Sequence, residues 1–155
     1  MKALGRLSTA IGDGLVAGLV GTAAMTISST VEARLRKRAA SSAPARATAK
    51  ALGIADFDSD LARARFNDLS HWGFGTGWGV VRGVLGASSL SPATATALHG
   101  AAVWGNSQVM LPALEIAPPS VFWPKEEIAI DALHHAVYAV ATGVAYELLD
   151  GAGAA

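Results

Sequence analysis

Between Pro112 and His135 the chain reads PALEIAPPSVFWPKEEIAIDALHH, its densest grouping of residues able to do acid–base or ligand chemistry. The stretch holds four of the six prolines, four of the twelve acids and two of the four histidines. A proline-rich connection gives way to a helix that presents Glu127, Asp131, His134 and His135 in its first turns. Residues three and four apart share a helical face. Asp131 with His134 or His135 therefore sets a carboxylate beside an imidazole. That pair suits several kinds of chemistry. With His71 and Glu32 it would give four metal ligands, but di-iron bundles use two Glu-x-x-His motifs plus two carboxylates. Only one half of such a set is visible. Paired histidines could ligate haem, yet no attachment motif is present. Intramembrane His and Asp often mark proton or ion pathways, so a proton-active or polar-substrate site is a third reading. The fourth is an interhelical hydrogen-bond cluster that fixes the fold. No nucleophile–base arrangement of Ser, Thr or His is recognisable, and zero cysteines exclude thiol catalysis, thiolate metal sites and disulfides. We assign no catalytic residue, no metal and no cofactor, and expect a protein that is not an enzyme.

The elements that position these residues are apolar. The chain has 155 residues, 52% hydrophobic and 15% charged, and a mean hydropathy of +0.38. Soluble domains carry about 25% charged residues. Four windows reach membrane-spanning length, about 11–31, 69–90, 93–111 and 128–149. The first ends in ARLRKR, a stop-transfer pattern, and is read as a retained helix rather than a cleaved signal. Gly14, Gly18, Gly21, Met25, Ser28 and Glu32 lie along one stripe of it. Small residues at this spacing let helices approach closely in lipid, within the bundle or between copies. The second window is glycine-dense, with Gly75, Gly79, Gly83 and Gly86 on one face and His71, Gly75, Trp78 and Arg82 sharing another. In the third, His99, Val103, Asn106 and Met110 align, and Pro112 ends it. The fourth begins after Pro124 with acids in its opening turn, a normal helix start. Its polar stripe is Glu127, Asp131, His135 (or His134), Tyr138 and Thr142.

Residues 32–68 form the one substantial polar segment and hold eight of the twelve Lys and Arg. ARATAKALGI and SDLARARF read as two short surface helices, the second capped by Asp58 or Ser59. No basic stripe with interleaved aromatics suggests nucleic acid. Basic loops favour the cytoplasm, and placing 32–68 there turns both termini outward. The end of the first helix, the start of the second, the end of the third and the start of the fourth then share one level. Glu32, His71, Asn106 (with Gln108), Glu127, Asp131, His134 and His135 are expected there as one polar cluster, with His71, Asp131 and His135 in contact. Near the other side lies Arg82, a costly charge within a membrane unless paired. Asp13 and Glu147 are its candidate partners.

The spacing of Pro112, Pro118–Pro119, Pro124, Glu127, Asp131 and His135 resembles the C-terminal signature of the YagU-type bacterial inner-membrane proteins, a domain-of-unknown-function family. Phe66–Asn67 and Ser70–His71 extend the similarity, which covers roughly residues 66–149. The resemblance implies a multi-helix bacterial inner-membrane protein and carries no established activity. The expected fold is all-α: a single integral-membrane domain, four helices in a bundle, with a polar cytoplasmic loop containing short surface helices. The expected role is an accessory or interaction subunit of a larger membrane complex, with membrane lipids as neighbours. The alternative is a proton-linked or small-solute transporter that works as a homo-oligomer through the His/Asp cluster.

Overall fold

The computed structural model describes residues 2–39 and 41–153. They form α1 (Lys2–Leu35), α2 (Ala43–Leu52), α3 (Asp60–Gly86), α4 (Pro92–Ala113), a single 3-10 turn (Ser120–Phe122) and α5 (Lys125–Gly153). No strand occurs among the described residues.

The helix ends follow from local chemistry. Ser59 and Ser91 cap α3 and α4, accepting hydrogen bonds from the backbone N–H groups of Ala62 and Thr94. Each satisfies a donor that the first turn cannot pair. Pro92 occupies the opening turn of α4, where its missing N–H costs nothing. Gly53 ends α2 in the left-handed region at φ 68°. Its N–H reaches Lys50 O, and that of Ile54 reaches Ala49 O, the paired bonds of a Schellman motif.

Several boundaries differ from those read off the sequence. α1 starts at Lys2 rather than near residue 11, since residues 2–10 contain no proline to break it. SDLARARF is no separate surface helix: from Asp60 onward it forms the first turns of α3, which runs unbroken to Gly86. Pro112 falls inside the last turn of α4, one residue before its end. There its ring disturbs only the final turn. The start of α5 agrees with the sequence reading: the helix follows directly on Pro124, whose carbonyl accepts from Ile128 N.

Leu4–Leu35 and Lys125–Gly153 are long and apolar enough to cross a membrane. α3 and α4, expected as spans too, fall short of that apolarity. The first third of α3 is charged and much of the rest is glycine, while α4 carries His99, Asn106, Ser107 and Gln108.

The helices pack in alternating directions. α1 runs antiparallel to α3, with Gly14 and Gly18 against Gly79 and Gly83, Thr22 against Gly75 and Thr26 against His71. It is also antiparallel to α5, where Gly21 meets Tyr138 and Thr142, and Ser28 meets His134. α4 lies antiparallel to α5, pairing Thr96 with Gly143, Gly100 with Ala139 and Trp104 with Asp131. α2 lies on α3 and holds the 114–117 segment through Arg46 to Ile116 O (2.5 Å) and Lys50 to Glu115 (2.8 Å).

Polarity is inverted relative to a water-soluble core. The largest fully buried side chains are Arg82, Tyr138, Tyr146, His99, Thr22 and Thr142. Leu19, Val20, Ile27, Val84, Leu98, Val109, Val140, Val144 and Leu148 are all exposed. What is buried with the polar groups is mostly small, Ala10, Ala17, Ala33, Ala95 and Ala139, with Val103 and Leu111 of α4 as the larger aliphatics.

The glycine stripe of α1 packs against α3 within one chain. A Cβ on Gly79 would run into the backbone of Gly14, whereas one on Gly77 would meet nothing within 4 Å. Gly79→Ala should therefore lower the melting temperature in detergent by an amount equivalent to about 1–3 kcal/mol of overpacking. Gly77→Ala should be neutral or stabilising by up to about 1 kcal/mol through helix propensity. Equal effects of the two substitutions would show that the α1–α3 backbones are not in contact.

Candidate functional site

The antiparallel arrangement brings the end of α1, the start of α3, the end of α4 and the start of α5 to one end of the molecule. The polar residues expected there are present at that level, but they form separate groups.

The first group joins α1 to α5. His134 is buried, and its Nδ1 lies 2.8 Å from Ser28 Oγ. Its Nε2 is 3.7 Å from Glu32 Oε2 and has no hydrogen-bond partner. Glu32 is gripped by Arg36 at 3.2 Å and by Arg38, and Arg36 continues across to Glu127, with Glu126 at 3.7 Å. A chain of alternating charge thus ties the last turn of α1 to the first turn of α5. The two arginines come from the ARLRKR run. The Arg36–Glu32 pair has ordinary i,i+4 spacing. The contacts of Arg38 with Glu32 and of Arg36 with Glu127 were not legible, because they depend on the turn after Leu35 and on how α1 packs against α5. Pairing with Glu127 pushes the Arg36 guanidinium above its ordinary value, and Lys50 holds the Glu115 carboxyl below its ordinary range.

The second group joins α4 to α5. Asp131 Oδ2 accepts from Trp104 Nε1 at 2.8 Å and from Gln108 Nε2 at 3.2 Å. His135 Nδ1 donates to the Asp131 carbonyl at 2.8 Å, with Asp131 Oδ1 3.6 Å away. Trp104 went unnoticed in the sequence, although its place one turn before Gln108 puts the two donors on one face. Asn106 stays outside both groups, its side-chain amide facing Met110 Sδ at 3.8 Å.

His71 belongs to neither. Its Nε2 is 2.8 Å from Thr26 Oγ1, which donates in turn to Thr22 O at 2.7 Å. Among the described residues His71 shares no hydrogen-bond partner with Asp131 or His135, so the expected meeting of these three side chains is not found. One residue accounts for the division. His134 and His135 are neighbours on a helix, about 100° apart at 3.6 residues per turn. The first faces α1 and the second faces α4.

Further along the interior, Tyr138 Oη donates to Gly75 O at 2.6 Å and His99 Nε2 lies 3.1 Å from Trp78 O. Deeper still, Arg82 is fully buried, pairs with Glu147 through Nη2 and lies over the Tyr146 ring, 4.4 Å from its centroid. Of the two candidate acids Glu147 is the partner, and Asp13 takes no part in the pair. Nε and Nη1 of Arg82 have no hydrogen-bond acceptor. The Tyr146 face attracts the guanidinium instead, because the ring quadrupole is negative there.

Among the described residues no three His, Asp or Glu side chains converge in a way that would hold a metal ion. Searched against protein-family models, curated proteins and solved structures, the chain finds no match. The fold and site thus define an all-helical protein with two helices apolar enough to cross a membrane and with a polar interior.

The Arg82 pair is asymmetric, and that asymmetry is measurable. Arg82 is 0% exposed and Glu147 40%. Removing Glu147 strands a buried cation, which costs on the order of 3–5 kcal/mol when a buried pair is broken. Removing Arg82 leaves a carboxylate that is only part-buried. Glu147→Ala should therefore destabilise the protein in detergent more than Arg82→Ala, and the double variant should recover part of the Glu147→Ala loss. Strict additivity of the two losses would refute the pairing.

Proposed function

We propose that the chain is a multi-pass bacterial inner-membrane protein, a four-helix membrane bundle without enzymatic activity, serving as an accessory or interaction subunit of a larger membrane assembly. The inverted polarity carries this reading. Water would penalise the exposed Leu, Val and Ile side chains on all four long helices, whereas hydrocarbon would not. Interior Arg82, His71, His134 and Tyr138 pair with other helices, as suits polar groups within a membrane. The resemblance of Pro112, Pro118–Pro119, Pro124, Glu127, Asp131 and His135 to the YagU-type signature supports the inner-membrane assignment. α3 and α4 are more polar than free-standing spans, and their neighbours α1 and α5 would shield them.

The proton-linked carrier has less support. It draws on a single His/Asp cluster, and those residues divide between the α1–α5 and α4–α5 seams, each with its own partners. Interhelical hydrogen bonding explains the polar groups without transport.

Cysteines at Ser41 and Ser89 test insertion and orientation together. With the 32–68 segment in the cytoplasm, an impermeant thiol reagent added to intact cells should label Ser89→Cys and spare Ser41→Cys. The protein should also stay with membranes after alkaline extraction. Release at high pH would overturn the membrane reading, and the opposite labelling pattern would overturn the orientation.

A further inference from the structure

Outside the interior seams, α4 and α5 enclose an outward-facing groove of about 750 Å³. Its walls are small and apolar, among them Ala97, Gly100, Ala136, Val140 and Val144. Polar residues occur at its ends, His135 and Trp104 at one and Glu147 at the other. From His135 to Glu147 the groove follows α5 for twelve residues, roughly 18 Å at 1.5 Å per residue.

The two ends differ in what they offer a ligand. Glu147 is already neutralised by Arg82. At the other end the carbonyl of Asp131 can only accept, so Nδ1 of His135 is the donor to it, and in the neutral form of the ring Nε2 is the nitrogen left to accept. Asp131 stands behind it, held by the uncharged donors Trp104 and Gln108. Among the described residues Asp131 has no Lys or Arg partner. This end is therefore negative and rich in acceptors. It complements a head group that donates a hydrogen bond and opposes an anionic one. An ammonium would suffer the desolvation penalty of a charge placed beside an apolar wall, which a hydroxyl avoids. Small-molecule sites typically occupy about 300–1,000 Å³, so the groove suits one hydrocarbon chain with a compact head.

We propose that the α4–α5 groove is a binding site for a single-chain amphiphile with a hydroxyl head, the hydroxyl donating to His135 Nε2 and the chain lying towards Glu147. The site stands apart from the interaction role, and it needs no particular orientation in the membrane.

Hexadecanol carrying a diazirine in its chain is the probe, with the matching hexadecylamine, hexadecanoic acid and hexadecane as comparisons, on purified protein in detergent. Photolabel from the alcohol should saturate and map by mass spectrometry to residues 93–104 and 132–148. The acid and the alkane should label roughly tenfold less, the effect of about one hydrogen bond. Ala136 is exposed, so Ala136→Trp fills the groove without touching the interior and should abolish labelling while the melting temperature holds. His135→Phe should erase the preference for alcohol over alkane. Equal labelling by alcohol and alkane, preference for the amine or acid, label spread over the outer faces of α1 and α3, or undiminished labelling of Ala136→Trp would each overturn the site. Alkaline extraction of the same preparations reports membrane insertion separately, so loss of the site and loss of the membrane reading give different results.

Discussion

Everything else in this fold depends on how closely α1 and α3 approach. Gly14 and Gly18 on one helix face Gly79 and Gly83 on the other, and backbone meets backbone with no side chain between. Without a hydrophobic drive between helices, lipid-embedded contact relies on this kind of close van der Waals packing. Thr22 then reaches Gly75, and Thr26 reaches His71, because the two axes are near enough for short side chains to span the gap. α5 settles into the furrow beside them, with Gly21 opposite Tyr138 and Thr142.

That proximity explains why the interior can be polar. Large apolar side chains would hold the helices apart, so most of them point outward. The space between is filled by Ala, Gly and hydrogen-bonded Thr, Tyr and His. A buried polar group without a partner costs about 1–3 kcal/mol. Several here find one on another helix, as Tyr138 does at Gly75 O and His99 at Trp78 O, Thr22 finds one within its own helix, and Thr142 Oγ1 has none. Arg82 is the extreme case. Its charge is met by Glu147 and its flat guanidinium by the Tyr146 ring, and Gly86 leaves room for that ring.

The two histidines of the HH pair illustrate how such a seam divides labour. His134 bonds to Ser28 beside the chain of charge formed by Glu32, Arg36, Arg38 and Glu127, which binds the ends of α1 and α5. His135 and Asp131, with Trp104 and Gln108, bind α4 to α5, and His135 also lines the outer groove. Adjacent residues of the same type thus serve different neighbours, and the acids beside them are shared out in the same way.

Helical character, the level at which each polar group sits and a cap at Ser59 can be read directly from the residues. Ser59, Ser91 and Gly53 act through backbone groups only a few residues away, so their effect is local and legible. Antiparallel succession and a rise of about 1.5 Å per residue sufficed to put Glu32, Asn106, Asp131 and His71 at one end, and Arg82 with Glu147 at the other. Which of these touch depends on how the helices pack. Periodicity relates residues on one helix to one another, but rotation about the helix axis is set by packing against neighbours. The choices between His134 and His135 and between Asp13 and Glu147, and the use of Arg36 and Arg38 as clasps, all turn on that rotation. It rests on the fit of Gly14 and Gly18 against Gly79 and Gly83, a contact between residues more than sixty positions apart.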